Sequence, residues 1–282
     1  MNKLFNHILV PVNFNRNTAM VIEKAIAIAN EFRCDIYLLY CHSPLIPVPF
    51  TPGGHVAGSI FNDTDTERKM SELIEKYKNS LNDGLSLWGE IQTGSWFELI
   101  KQFVITRHID LVVIPRSVVR LWGALIRKLD INMLAKQTNC PVLVVTHQFD
   151  IIHLKNIVVP VDDFLPIKKL TAATYIAGRF DAIIHLMGHK KSYHTKDPGD
   201  TKWLARAYQL LRDHTQLKIH RSSTYGHTVA DNTLSYAKLV EADLIVINTG
   251  KEAVLGGWLS RLSGKYLYKE SNISVLTIAP RQ

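Results

Sequence analysis

The feature that most constrains this sequence is that it is written twice. Ile8-Leu9-Val10-Pro11-Val12-Asn13-Phe14 returns, starting 149 residues later, as Ile157-Val158-Val159-Pro160-Val161-Asp162-Asp163-Phe164. Asp110-Leu111-Val112-Val113-Ile114 returns as Asp243-Leu244-Ile245-Val246-Ile247, and Pro141-Val142-Leu143-Val144-Val145 as Ser274-Val275-Leu276-Thr277-Ile278, both 133 residues on. Such self-similarity marks a repeated structural unit. The difference of 16 residues places extra chain in the first copy, in the stretch at 43–67 rich in Pro, Gly, Asp and Thr. The repeated runs are short, rich in Val and Ile, and nearly continuous rather than alternating. Strands read that way when helices cover both faces of their sheet.

Helical periods lie between these runs. Val21, Ile22, Ala25, Ile26 and Ala29 form an apolar stripe, with Asn15 or Asn17 placed to cap its start. Its counterpart over 166–179 carries Leu170, Ala173, Thr174 and Ala177. Further helices are expected over 96–107 and 229–240, and further strands at 35–40, 85–90, 182–187 and 217–221. Strictly alternating strands and helices call for right-handed crossovers and parallel sheets. The expectation is an α/β protein of two tandem open parallel sheets with helices on both faces, divided into residues 1–150 and 151–282. The link at 148–154 is short, so the halves should pack together.

Composition narrows the function classes. A chain of 282 residues, 46% apolar and 21% charged, suits two globular units, and no run reaches the 18 apolar residues of a membrane-spanning helix. No secretory pattern opens the sequence, so a cytoplasmic location is expected. Cys34, Cys41 and Cys140 are odd in number and lack metal spacing, which makes them buried thiols. The net charge of +8 sits unevenly: 15 basic against 14 acidic residues in 1–150, and 18 against 11 in the remainder. These basic residues are scattered, so the expected partners are the chain itself, another protein or a small nucleotide, rather than nucleic acid or membrane.

Taken together, the opening strand ending Pro-Val-Asn or Pro-Val-Asp, the Asp-Leu-Val-Val-Ile strand, and Cys140-Pro141-Val142-Leu143-Val144-Val145 resemble the universal stress proteins in their tandem form. The resemblance covers nearly the whole chain. It implies five-stranded parallel sheets in the order 3-2-1-4-5, and a role that is regulatory or stress-protective. Some members bind ATP through an aspartate after the first strand and a glycine-rich segment after the fourth, Gly-two residues-Gly-nine residues-Gly-Ser/Thr. The physical reason is that glycines let the backbone approach phosphate, and exposed amides complement its charge.

The two halves meet that pattern unequally. In the first, the aspartate position is Asn13, and Ile114-Pro115-Arg116-Ser117-Val118-Val119-Arg120-Leu121-Trp122-Gly123 replaces the glycine-rich segment. Proline has no amide hydrogen to offer, so this segment reads as packing surface between the halves. In the second half Asp162 holds the aspartate position beside Asp163. Thr249, Gly250 and Lys251 follow the fourth strand, Ala253 stands where a glycine belongs, and Ser263-Gly264 where Gly-Ser/Thr belongs. Ligands of open parallel sheets bind beyond the strand ends where the order reverses. That geometry gathers Asp162, Asp163, Gly188, His189, Thr249, Gly250, Lys251, Ser263 and Gly264 as the candidate site for ATP or another adenine nucleotide. Lys251 would reach an anionic group. The alternative at the same residues is structural: Asp162 capping a turn, and Gly250 relieving backbone strain.

Other chemistry is weakly supported. His185, His189, His194, His220 and His227 cluster in sequence, but no carboxylate or cysteine spacing fixes a zinc site, and no metal is assigned. No nucleophile elbow, phosphate loop or dinucleotide turn is present. The apolar, proline-rich loop 43–54 is expected to cover the first-half site or present a docking surface. The leading expectation is a stress-associated regulatory or scaffolding protein that senses a nucleotide in its second half. The alternatives are a weak nucleotide hydrolase and a ligand-free interaction module.

Overall fold

The computed structural model describes residues 3–42, 63–116, 130–190, 198–226, 228–256 and 266–280. The first half runs β1 (His7–Val12), α1 (Thr18–Phe32), β2 (Asp35–His42), α2 (Asp63–Tyr77), β3 (Leu87–Thr93), α3 (Trp96–Thr106), β4 (Leu111–Pro115), α4 (Ile131–Thr138) and β5 (Val142–Val145). The second runs β6 (Asn156–Val161), α5 (Ile167–Phe180), β7 (Ile183–Lys190), α6 (Pro198–His214), β8 (Ile219–Tyr225), α7 (Val229–Leu239), β9 (Leu244–Asn248), α8 (Leu267–Glu270) and β10 (Ser274–Ile278). The loop 43–54 and the segment 117–123 lie outside the described residues.

Each half has the strand order 3-2-1-4-5 and is parallel throughout. The expectation of two separate sheets needs one correction. The strands form a single ten-stranded sheet, β3-β2-β1-β4-β5-β10-β9-β6-β7-β8, joined where β5 and β10 pair antiparallel with Leu143 opposite Leu276. Both joining strands are buried along their whole length. Left apart, each would hold a row of unpaired amides and carbonyls in an apolar setting, and pairing them satisfies both rows.

The layers are continuous across the joint as well. One apolar cluster packs α1, α2, α5 and α6 on one face, and another packs α3, α4, α7 and α8 on the opposite face. Where α1 meets α5, Phe32 stacks on Tyr175 at 5.2 Å between ring centres, and Arg179 Nε donates to Glu31 Oε2 at 2.9 Å.

The repeated aspartate has a structural explanation. Asp110 Oδ2 accepts from the amides of Asn6 (2.8 Å) and His7 (3.1 Å), tying the start of β4 to the start of β1. Asp243 Oδ2 accepts from Lys155 (2.8 Å) and Asn156 (2.9 Å), doing the same for β9 and β6. The backbone repeats too: Arg33 and Asp181 end α1 and α5 in the left-handed conformation, and His108 and Glu241 share it before β4 and β9. The expected strand at 85–90 begins later, because the Ser86 amide is taken by Asp35 Oδ1. Asn15 accepts from the Asn17 amide, while Asn17, at the cap of α1, makes no side-chain capping bond. All three cysteines are buried and free, and burial pushes the Cys34 and Cys41 thiols up to about 12 and raises Cys140 as well. Among the described residues no helix is long and apolar enough to cross a membrane.

Candidate functional site

The reversal of strand order in the second half falls between β6 and β9, and side chains carrying charge converge beyond their ends. Asp162 follows β6 directly and is buried, with Asp163 exposed beside it. After β9, Thr249 continues the ladder by donating its amide to Ile278 O at 3.0 Å. Gly250 then takes φ +96, a left-handed conformation that glycine adopts without strain, and its carbonyl accepts from the Ala253 amide at 3.1 Å. This turn aims Lys251 back toward β6. Its Nζ lies 2.5 Å from Asp162 Oδ2 and 2.7 Å from Asp163 Oδ2, forming an ammonium bridge between two carboxylates. Partial burial opposes the charge on Lys251, but the two carboxylate hydrogen bonds outweigh it and raise the ammonium above its ordinary value.

A second charge pair lies beneath. Lys169, from the first turn of α5, is wholly buried and donates to Pro160 O at 2.5 Å and Glu252 Oε2 at 2.6 Å. Glu252 also accepts from the Asn248 amide at 2.6 Å and from Asn248 Nδ2 at 3.3 Å, closing off the end of β9. Burial drives Lys169 below the usual lysine range, with the Glu252 carboxylate acting against that shift. A recess of about 190 Å³ opens beside the network, lined in part by Phe164, Leu165, Pro166, Ile167 and Asn248.

The structure brings together Asp162, Asp163, Thr249, Gly250 and Lys251 of the candidate residues. Gly188 sits level with Val161 on β7, but a Cβ there would meet Leu204 Cδ2 at 2.9 Å and Ser223 Oγ at 3.1 Å, so its place is set by α6 packing on the sheet. His189 is buried on the opposite face, where Asn232 Nδ2 lies 2.8 Å from its Nδ1 and also donates to Thr224 O. Ser263 and Gly264 lie outside the described residues, as do His194 and His227. His185 and His220 approach to 5.0 Å between ring centres, and no group of three metal-ligating side chains forms among the described residues. Burial, aided by His220, lowers the His185 pKa.

Lys169 and Glu252 were missed by the sequence reading. Lys169 stands one residue from the apolar stripe of its helix, and a lysine there reads as a solvated neighbour. The repeat held a signal: aligned on their shared ends, where Arg33 and Asp181 cap α1 and α5, the two helices set Lys169 against the buried, apolar Val21. The first-half site differs accordingly. Asn13 Oδ1 accepts from Thr18 Oγ1 at 3.5 Å, and Phe14 stacks on Tyr40 at 4.7 Å. Arg116, just past β4, reaches the second half, donating from Nε to Lys269 O at 3.1 Å and from its guanidinium to Asn272 Oδ1. Packing between the halves is thus its role.

Fold and site together define a tandem α/β protein in which two repeats share one sheet and present strand-end crevices. The sequence profile of the universal stress protein family matches residues 4–146, half of the chain, and the protein belongs to that family. Among solved structures, it is similar to a universal stress protein of Archaeoglobus fulgidus DSM 4304, at 13% identity and TM-score 0.71, over 98% of both chains. A functionally unknown protein of Pseudomonas aeruginosa PAO1 aligns at 16% identity and TM-score 0.63, over 98% of this chain and 93% of that one. The cytoplasmic domain of a prokaryotic cation chloride cotransporter aligns at 11% identity and TM-score 0.56, over 98% and 96%. At these identities the likeness is one of fold. No curated protein matches the sequence.

Proposed function

We propose that this chain is a non-catalytic regulatory or scaffolding member of its family, built of repeat units 1–150 and 151–282. In this reading an internal charge network engages the strand-end carboxylates and lysines that a nucleotide would otherwise contact. The observation that carries the reading is Lys251 bridging Asp162 and Asp163. An aspartate that recognises adenine accepts from the ring's amino group, and here Oδ2 of the buried Asp162 is already held by an ammonium that a nucleotide would have to approach past. Phosphate recognition is equally disfavoured. Lys168, Lys169 and Lys251 face Asp162, Asp163 and Glu252 with three formal charges of each sign, so the crevice has no net positive charge to draw an anion. The second-half crevice then acts as a fixed structural element, and the outer surfaces are what a partner reads.

Calorimetric titration of ATP and of AMP into the intact protein tests this. The expected result is no saturable heat at ligand concentrations up to about 1 mM, an affinity limit near 4 kcal/mol. Saturable binding that Asp162→Asn abolishes would overturn it. That outcome would establish a second reading, nucleotide sensing in the second half. The partial exposure of Lys251, 53% of its side chain, favours this alternative, since a phosphate arriving from solvent can draw the ammonium away and release Asp162.

A further inference from the structure

The ten-stranded sheet ends in two strands, β3 and β8, whose outer edges have no strand partner among the described residues. Exposed edges invite pairing with another chain unless something prevents it. What distinguishes these two edges is charge. The segment 63–93, comprising α2 and β3, contains seven acidic residues against four basic ones, a balance of −3. Its structural counterpart 198–225, comprising α6 and β8, contains five basic against two acidic, a balance of +3. Glu67, Glu72 and Glu75 are exposed on α2, and Lys202, Arg206 and Arg212 on α6.

The two ends differ in how far their charges are already paired: on the acidic end Asp65 pairs with Arg68 and Lys69, Glu72 with Arg68, Glu75 with Lys78 and Glu90 with Arg107, whereas the basic end is poorly neutralised. Arg212 meets Asp213 at 3.4 Å, but Lys202, Arg206, Lys218 and Arg221 form no ion pair among the described residues. Instead Lys202 and Arg206 lie over Trp203, at 5.5 and 5.7 Å from the ring centre, and Arg221 over Tyr208 at 5.2 Å. These rings hold the cations on the surface without cancelling their charge.

We propose that the acidic β3 end of one copy docks on the basic β8 end of a second copy, so that the protein associates with itself head to tail. The partner must be another copy with the opposite end presented. Pairing β3 with β3, or β8 with β8, sets like charges against each other, whereas pairing β3 with β8 sets −3 against +3. The direction fits too. Strands are parallel within each half and the halves are antiparallel at β5–β10, so β3 and β8 run in opposite senses and a second copy continues the sheet with an antiparallel pair. The chain already contains the same kind of joint: β5 and β10 pair antiparallel, flanked by α1 and α5 with Glu31 bonded to Arg179. At the proposed contact α2 and α6, which share the sheet face of α1 and α5, meet in the same manner. A heterologous contact leaves one end of each copy open, so the assembly grows beyond a dimer.

Sedimentation velocity on the full chain tests the proposal at about 0.02 M and about 0.5 M salt, where the screening length differs several-fold. The expected result is a mass that rises with protein concentration past the dimer in low salt and returns to the monomer in high salt. Two double reversals sharpen the test: Glu72→Lys with Glu75→Lys gives a chain with two basic ends, and Arg206→Glu with Arg212→Glu a chain with two acidic ends. Each alone should associate at least about tenfold more weakly than the parent, and an equal mixture of the two should recover association. If a double reversal fails to fold by circular dichroism, Glu75→Lys and Arg206→Glu singly take its place with the same readout. A parent that stays monomeric in low salt, an assembly that stops at a dimer, reversed chains that associate alone as the parent does, or a mixture that recovers nothing, each overturns it.

Discussion

Lys169 and Glu252 show how a single residue type can change what a strand-end crevice does. Both are buried, at 0% and 4% side-chain exposure, and each depends on the other for compensation. A buried ammonium whose carboxylate partner is neutralised keeps its desolvation cost and loses the attraction that offset it. Glu252→Gln should therefore lower stability by about 3 kcal/mol, even though a glutamine can still accept from Asn248. Adding Lys169→Met, an apolar side chain of similar length, removes the stranded charge and should restore most of that loss. Urea denaturation of the two single variants and the double variant checks this, and additive losses would contradict it. The pair was illegible in sequence for a physical reason. Whether a lysine is solvated or buried depends on what another element 83 residues away presents to it, and no local period encodes that. Asp162 and Lys251 were legible as residues of the crevice, because strand ends at the reversal of order are predictable. Their bonding to each other was not.

At the scale of elements, the repeated runs marked the strands, the family resemblance implied their order, and the aspartate at the start of β4 and β9 recurs in both copies for a structural reason. Asp110 and Asp243 each receive two backbone amides from the strand beside them. A carboxylate accepting two amides is a charge-assisted clamp, and replacing it with alanine leaves both donors to water or to nothing. Asp110→Ala and Asp243→Ala should each cost about 2 kcal/mol, with similar size at the two positions because the geometry is the same. Chemical denaturation measures both, and a loss below about 0.5 kcal/mol at either position would contradict the clamp. The element boundaries were less legible than the order. The onset of β3 shifted because Asp35, a residue on another strand, takes the Ser86 amide. Gly188 looked like a ligand residue by position alone, and only the nearness of Leu204 on α6 reveals it as a packing requirement.

At the scale of the whole molecule, the feature that sequence could not disclose is the joint. Val142–Val145 and Ser274–Ile278 read as strands buried on both faces, which is equally true of a strand inside one sheet and of a strand shared between two. Their antiparallel pairing follows from the meeting of two surfaces, and the aromatic contacts across it are non-local. Phe32, at the end of α1, stacks on Tyr175 and meets Phe180 edge-on at 6.0 Å, both on α5, while Phe5 meets Tyr175 at 5.8 Å. With sheet and both helix layers continuous, the two halves should open as one cooperative unit rather than as independent domains. Phe32→Ala removes an aromatic ring that belongs to the first half in sequence and to the joint in space, at a cost of about 3–5 kcal/mol. Native-state hydrogen exchange followed strand by strand should then show the amides of β6–β10 losing protection by as much as those of β1–β5. If only the first-half strands lose protection, the halves are separately stable and the joint is a contact between two bodies rather than the core of one.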